Sequence, residues 1–230
     1  MGQGAGTVLQ RVLERLLAVA LIVLTLPLLA AVVLTSALTY RAWPIFSHQR
    51  LGQDNRPFSF PKVRTLPPGT NRYADKYAID AGTLPWPMAI LRRTHLDELP
   101  QLWLVAAGRM ALVGPRPEMA TLADRLPPAL VAERATVRPG ITGLWQVSPY
   151  CTGLICERPE IDILYVRHRN PRLDAWILAR TVPKVLFGRT TPLHEIPAWA
   201  IRPAPPAPAA VVPAARELDA PPALSLSIVD

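Results

Sequence analysis

Leu16–Tyr40, LLAVALIVLTLPLLAAVVLTSALTY, is the stretch whose reading decides the architecture. Its 25 positions carry no charge, and about 20 apolar residues suffice to cross a bilayer as a helix. The apolar core of a cleaved leader is shorter, about 7–15 residues. Pro27 falls in the middle of the run, where a proline removes one helical hydrogen bond and clashes with the preceding turn. Thr25, two residues earlier, is expected to offer its hydroxyl to the freed carbonyls. Basic residues flank both ends: Arg11 and Arg15 before, then Arg41, Arg50, Arg56, Lys62 and Arg64 after. The positive-inside tendency places both flanks on the same, cytoplasmic side. A helix broken at Pro27 that dips into one leaflet and returns satisfies both facts. A tilted, kinked single span is the alternative that these residues leave open.

Outward from that run, residues 1–10 are small and polar and expected to fray. Residues 41–66, RAWPIFSHQRLGQDNRPFSFPKVRTL, read as strand, turn and strand, with the turn signals between Gly52 and Pro57. Residues 67–88 read as a long Pro- and Gly-rich loop. Helices are expected at about 99–107, with Pro100 in the first turn, and at 118–126. Residues 138–147 read as a turn feeding a short strand, and a helical region begins near Tyr165. There Leu178, Thr181, Val182, Val185 and Leu186 keep the i, i+3, i+4, i+7, i+8 spacing. With Trp176 nearby this suits an interfacial amphipathic helix, and equally a core-facing helix kinked at Pro183. From Pro203 onward Ala and Pro dominate, the composition of a disordered tail.

The formal net charge is +8 and the sequence pI 10.2, with a mean hydropathy of +0.20. The tail from Pro203 holds only Arg216 against Glu217, Asp219 and Asp230, so the body carries the positive excess. Such a body suits anionic lipid, phosphorylated substrates or nucleic acid on charge alone. Cys151 and Cys156 have no second pair to complete a zinc site and are read as free thiols.

The chemistry concentrates in Leu91–Pro117, LRRTHLDELPQLWLVAAGRMALVGPRP. Arg92, Arg93, Asp97, Glu98, Arg109 and Arg116 surround a short apolar run, and buried charges persist only when paired or when they bind something. Asp97 and Glu98 are the candidate catalytic pair. Neighbours on a helix point about 100° apart, so one suits the reacting atom and the other a metal. Thr94-x-x-Asp97 also fits a capping box, a reading that would make Asp97 merely structural. Gly114-Pro115-Arg116-Pro117 is a rigid turn that projects Arg116, the residue type suited to bidentate phosphate contact. Lys62 and Arg64, two apart on a strand, would add charge to one face. A carboxylate pair at the centre of these cations argues against a nucleic-acid partner, since it would repel a phosphate backbone without a metal.

LRRTHLDELPQLW, then GRMALVGPRP, then VRPGITGLWQV, preceded by RLGQDNRPFSFPKVRT, resemble in order the motifs of the bacterial sugar transferases, the monotopic polyprenyl-phosphate phosphoglycosyl transferases. The opening segment with its central Pro is similar to that family's re-entrant helix. The resemblance covers about residues 8–188 and implies an α+β fold, predominantly helical with a small β element, held to the membrane by the re-entrant helix and interfacial amphipathic helices. It divides the chain into a frayed 1–10, a membrane helix 11–45, a catalytic domain 46–188 on the cytoplasmic face of the bacterial inner membrane, and a linker with disordered tail, 189–230. It also implies transfer of a sugar 1-phosphate from a UDP-sugar to polyprenyl (undecaprenyl-type) phosphate with release of UMP, opening exopolysaccharide or glycan synthesis. Asp97 would be the covalent nucleophile and Glu98 the Mg2+ ligand. Lys62, Arg64, Arg92, Arg93, Arg116 and Arg138 would bind phosphate, and Asp162 and Asp174 match acidic positions of unassigned role. Membrane lipids and downstream glycosyltransferases are the implied partners.

Three departures stand out. Gly108-Arg109-Met110 replaces the family's Gly-Asp-Met, Thr83–Ala89 replaces an Arg-x-Thr-x-x-Gly element, and Ser148–Cys151 replaces Asn-Gly-Arg. Arg109, which reverses a charge near the site, raises an alternative: a catalytically impaired, membrane-anchored binding or scaffold protein on the same fold. Compared with family members that carry extra spans, the chain is expected to be a minimal catalytic core.

Overall fold

The computed structural model describes residues 3–71 and 84–200. Helix α1 runs from Gln3 to Tyr40, about 57 Å if straight at 1.5 Å per residue. Helical backbone thus reaches into the segment expected to fray, and the helix does not stop at Pro27, which lies inside it. The Thr25 hydroxyl donates to Leu21 O at 2.6 Å and to Ile22 O at 3.5 Å. It therefore takes carbonyls earlier than that of Val23, the group four residues before Pro27 that loses its amide partner. Only 17% of the apolar window of α1 is buried by the rest of the chain, whereas a soluble core helix would be mostly covered.

What α1 does bury touches the same domain at both ends. Near its start, Gln10 donates to Asp174, Glu14 pairs with Arg138, and Ala18 enters the main core. Near its end, Val32 packs with Val63, Met88 and Leu91, Ser36 donates to Arg64 O at 2.6 Å, and Tyr40 donates to Thr65 O at 3.0 Å.

Strands β1 (Ile45–Leu51) and β2 (Pro57–Val63) form the expected antiparallel hairpin, with Phe46 opposite Lys62 and His48 opposite Phe60. Asp54 and Asn55 turn it with positive φ, a conformation these two residue types tolerate. Helix α2 (Trp86–Arg93) begins in the last three residues of what reads in sequence as loop and runs on past it; of that loop, residues 72–83 lie outside the described residues. The helix expected from 99 is a 3-10 segment, Leu96–Gln101, followed by α3 (Leu102–Ala106).

After α3, Gly108 takes φ +76 and ends the helix. The Arg15 guanidinium lies directly over it, where a Cβ would clash. Strand β3 (Ala111–Val113) then pairs in parallel with β4 (Gly140–Thr142), a pairing too short to read in sequence. Gly114 and Gly140 are required at that junction, because a Cβ on either would strike the other's backbone.

Between the two strands, α4 (Ala120–Ala123) is much shorter than the expected 118–126, and α5 (Pro128–Arg134) follows it. Helices α6 (Leu144–Val147), α7 (Glu160–His168) and α8 (Pro171–Phe187) complete the body. Asn170 caps α8 through bonds to the Arg172 and Leu173 amides, and Gly188 ends it in the left-handed region. Leu173, Trp176 and Ile177 are buried, so Trp176 belongs to the core rather than to an interfacial belt. Leu178, Val182, Leu186 and Phe187 remain exposed as an apolar stripe. Residues 191–200 are not a free linker either, since Ile196 and Ala200 join the main core and Asn170 donates to Ala200 O at 2.7 Å. The tail beyond residue 200 lies outside the described residues.

Candidate active site

His95 precedes the 3-10 segment with a left-handed φ of 56°, so the chain re-enters helical geometry only at Leu96. Thr94 spends its hydroxyl on Ile90 O at 2.8 Å, one turn back. The N-cap is His95 rather than Thr94, with no side-chain cap bond, so the Thr94-x-x-Asp97 capping box does not form. Instead Asp97 and Glu98 occupy the first turn of the 3-10 segment, 5% and 9% exposed. Pro100 and buried Gln101 follow, and the segment packs beneath β2 and α1.

Two cations from different elements converge on one oxygen of Glu98. Lys62 Nζ, from the penultimate position of β2, lies 2.5 Å from Glu98 Oε1, and Arg116 Nη2, from the Gly-Pro-Arg-Pro turn, lies 2.9 Å from the same atom. Burial alone would raise the Glu98 pKa, but Arg116 and Lys62 outweigh it and hold the carboxyl well below its usual range. Asp97 is the opposite case. Burial pushes it up to about 6 against the attraction of Lys62, with the Glu98 charge adding to the rise. Among the described residues no hydrogen bond engages the Asp97 carboxylate. One acid is thus clamped and ionised far below neutral pH, and its neighbour, which no described group hydrogen-bonds, titrates closer to neutrality.

The remaining expected residues divide. Arg92, half-buried at the end of α2, donates to Thr65 Oγ1 at 3.3 Å and lies close enough to favour ionisation of Asp97. Arg93 is exposed. Arg64 lies one residue past β2, where the alternation that aims Lys62 no longer applies; it donates to Trp43 O at 2.9 Å and lies over the Phe46 ring. Arg138 is turned to α1, bonding Glu14 at 2.7 Å and Met110 O at 3.1 Å. It ties α1 to the residue before β3 and is not among the cations on Glu98. Arg109 is exposed on the turn after α3. Asp162 pairs with Arg134, and Asp174 accepts from Tyr165 at 2.8 Å and from Gln10 at 3.1 Å.

Sequence reasoning passed over a second tier. Arg50 Nη1 lies 3.0 Å from Glu118 Oε1 and 3.3 Å from Pro117 O, while its Nε donates to His48 Nε2 at 2.6 Å. The period-two alternation of β1 was the available signal, for it puts His48 and Arg50 on the face of the hairpin that carries Lys62.

The donor set fits a divalent cation in one way only. Among the described residues there is no cluster of three or more His, Cys, Asp or Glu, so no metal cage is preformed. Two adjacent carboxylates with an unengaged oxygen suit Mg2+, which commonly binds through one or two carboxylates together with substrate phosphates.

The model of the bacterial sugar transferase family matches residues 5–188. The chain is similar to a UDP-N-acetylgalactosamine-undecaprenyl-phosphate N-acetylgalactosaminephosphotransferase of Aeromonas hydrophila, 31% identical over 78% of this chain and 44% of that protein. It is similar to an undecaprenyl-phosphate glucose phosphotransferase of Komagataeibacter xylinus, at 33% identity over 78% of this chain and 36% of that protein. A UDP-glucose:undecaprenyl-phosphate glucose-1-phosphate transferase of Caulobacter vibrioides is 36% identical over 77% of this chain and 69% of its own length. The chain thus spans less than half the length of the first two of these relatives.

Proposed function

Because the chain belongs to the bacterial sugar transferase family, we propose that it transfers a sugar 1-phosphate from a UDP-sugar to an undecaprenyl-type phosphate and releases UMP. The observation that carries this reading is the asymmetry of the buried pair, Glu98 held ionised by Lys62 and Arg116 beside an Asp97 whose carboxylate no described residue hydrogen-bonds. In the first step an Asp97 oxygen attacks the phosphorus bearing the sugar. The bond from that phosphorus to the bridging oxygen breaks, and UMP departs with the oxygen. In the second step an oxygen of the lipid phosphate attacks the phospho-Asp97 phosphorus. The aspartyl–phosphorus bond breaks, the carboxylate is regenerated, and a polyprenyl diphosphate sugar is formed. Splitting the displacement lets one buried nucleophile serve two bulky substrates in turn.

Arg116 and Lys62 bind the phosphates and stabilise the charge that moves onto the departing UMP, and Arg92 supports ionisation of Asp97. Mg2+, held by Glu98 together with the diphosphate, supplies further neutralisation of the leaving group when bound.

We propose that α1 is re-entrant and that the site faces the cytoplasm, where UDP-sugars are found, at the inner membrane of a bacterium. Two features support this. One domain engages α1 both at Gln10–Ala18 and at Val32–Tyr40, whereas a straight span would carry one end away from it. Besides the bare apolar surface of α1, Trp43, Trp86, Ile90, Trp103 and the α8 stripe are exposed, which suits helices lying in the interface. The product would pass to membrane-associated glycosyltransferases that extend it. The scaffold alternative rests on Arg109, and that residue is exposed and is not among the cations on Glu98.

The test is UMP release from a panel of UDP-sugars in undecaprenyl phosphate vesicles with Mg2+. Release that vanishes in Asp97→Asn, together with phosphate label trapped on Asp97 when lipid phosphate is withheld, supports the assignment. Absence of UMP release with every UDP-sugar refutes it.

A further inference from the structure

Arg116 leaves a turn in which four successive carbonyls are each bonded. Pro115 O accepts from the Gly140 amide at 2.9 Å and Glu118 O from the Leu51 amide at 2.8 Å. The two between them are held by side chains, Arg116 O by Arg134 Nη2 at 2.9 Å and Pro117 O by Arg50 Nη1 at 3.3 Å. Arg134 is itself fixed by Asp162. Arg50 is fixed differently. Its Nη1 also reaches Glu118 at 3.0 Å, its Nε donates to His48 Nε2 at 2.6 Å, and its guanidinium lies 5.7 Å from the centre of the Phe60 ring.

That same ring carries Lys62 Nζ at 5.5 Å. Arg50 therefore belongs to the hairpin that presents Lys62, and it grips the turn that presents Arg116. It is the side-chain link between the two cations that meet on Glu98 Oε1. An arginine cannot accept a hydrogen bond, so His48 Nε2 must offer a lone pair and the ring proton sits on Nδ1. His48 is 8% exposed. Burial and the nearby Arg50, Lys62 and Arg116 push its pKa down to about 3, so it remains a neutral acceptor.

Resting on the transferase reading above, we infer that Arg50 is a positioning residue. It sets the separation of Lys62 from Arg116 across Glu98, and His48 orients it by accepting its Nε–H. Arg50 commits its Nε to His48 and its Nη1 to Pro117 O and Glu118, so its effect on turnover runs through Arg116 and Lys62.

Arg50→Lys keeps a charge but loses the planar fork that holds Pro117, Glu118 and His48 together. A misplacement of about 1 Å at a reacting centre costs up to 100-fold, so kcat for UMP release is expected to fall about 10- to 100-fold with little change in the KM for the UDP-sugar. The deciding measurement is a double-mutant cycle with Arg116→Lys. If Arg50 acts through Arg116, adding Arg50→Lys to that variant costs less than threefold. Equal losses in both backgrounds overturn the inference, since a role in general stability would be additive.

His48 gives an independent arm that leaves the Arg50–Glu118 pair intact. His48→Leu fills the space without an acceptor and is expected to lose activity, while His48→Gln restores an acceptor and recovers it to within threefold of the parent. If Leu and Gln behave alike at matched melting temperatures, the orienting role of His48 is refuted. This arm decides alone should Arg50→Lys fail to fold. An inactive parent protein would refute the transferase reading itself, an outcome distinct from an active parent with additive mutants.

Discussion

Glu98 and Asp162 are both buried carboxylates facing an arginine, and they are supplied with cations in opposite measure. Glu98 receives Lys62 and Arg116 on a single oxygen and stays ionised well below its usual range. Asp162 receives Arg134 alone, through two nitrogens on Oδ2, and its Oδ1 is buried with no partner among the described residues. Burial outweighs the attraction of Arg134 and raises its pKa. The Asp162 pair is closed, one anion to one cation, and it steadies the turn behind Arg116. On Glu98 itself two cations exceed one anion, and beside it lies a second carboxylate that no described group hydrogen-bonds. That surplus is what an incoming phosphate would satisfy, and it distinguishes a site from a strut.

The largest break in this comparison comes from Asp97. Asp97→Asn is expected to lower UMP release by about 10,000-fold or more, since the neighbouring carboxylate, Glu98, is clamped by Lys62 and Arg116. The same substitution should make the protein more stable. A carboxyl pushed from 3.8 to about 6 destabilises the fold when ionised, by roughly 3 kcal/mol at neutral pH. The sign follows from the raised native value. The penalty is absent below about pH 4, grows between 4 and 6, and is constant above. Denaturant melts of the two proteins at pH 7.5 and pH 4 should differ at the first and converge at the second. A destabilised Asn variant at pH 7.5 would mean that Asp97 is a structural acid.

Asp162 should behave in reverse. Asp162→Ala leaves Arg134 buried without its anion, a change that typically costs about 3–5 kcal/mol. The fraction that still folds should turn over within tenfold of the parent, because Asp162 touches neither Glu98 nor Asp97. Urea denaturation paired with active-site titration separates the two effects. A loss of turnover as deep as that of Asp97→Asn would erase the distinction drawn here.

How much of this was legible in the sequence depends on the range of each interaction. The apolar run, the hairpin turn and the Asp97–Glu98 pair are local patterns: the β1–β2 hairpin and the buried acidic pair stand where they were expected, and the run is helical, though α1 passes through Pro27 where a break was expected. Lys62 and Arg64 look equivalent in a strand pattern, yet β2 ends at Val63 and only Lys62 keeps the inward side. Arg138 reads as a phosphate ligand until Glu14, 124 residues earlier, is brought against it. A left-handed His95 and a proline at 100 turn the expected helix start into a 3-10 segment, and no periodicity foretells that. The Arg50 clamp spans 68 residues to Glu118 and becomes visible only when hairpin and turn are side by side.

The pH dependence of turnover refines the Asp97 half of the comparison. The nucleophile must be ionised, so its raised pKa places an acidic limb inside the accessible range. Turnover is expected to be flat above about pH 7 and to fall as pH drops through about 6, approaching tenfold per unit below it. Glu98 should contribute no break there, because Arg116 and Lys62 keep it ionised well below that pH. Lys62→Met then serves as the probe. With that cation removed, ionisation of Asp97 becomes harder and the limb should move to higher pH. A limb that moves down, or stays fixed while activity persists, would show that Lys62 does not govern Asp97.

The smallest expected effect lies at the far end of the domain, where α1 meets α8. Tyr165 donates to Asp174 at 2.8 Å and to Val113 O at 3.1 Å, and Gln10 reaches the other Asp174 oxygen. Like Asp162, this cluster balances its donors against its acceptors with no cation left over. Tyr165→Phe removes one buried hydroxyl with its two contacts and should cost about 1–2 kcal/mol, with turnover unchanged. Gln10→Ala should cost less, since Gln10 is only half-buried and water replaces it. Burial raises Asp174 to about 6, with Glu14 adding to the rise. Its ionised form is therefore the costly one, and part of the hydroxyl's contribution is to hold that charge. The Tyr165→Phe penalty should accordingly shrink when melts are repeated at pH 5. A penalty independent of pH would place the whole effect on the bond to Val113 O rather than on the acid.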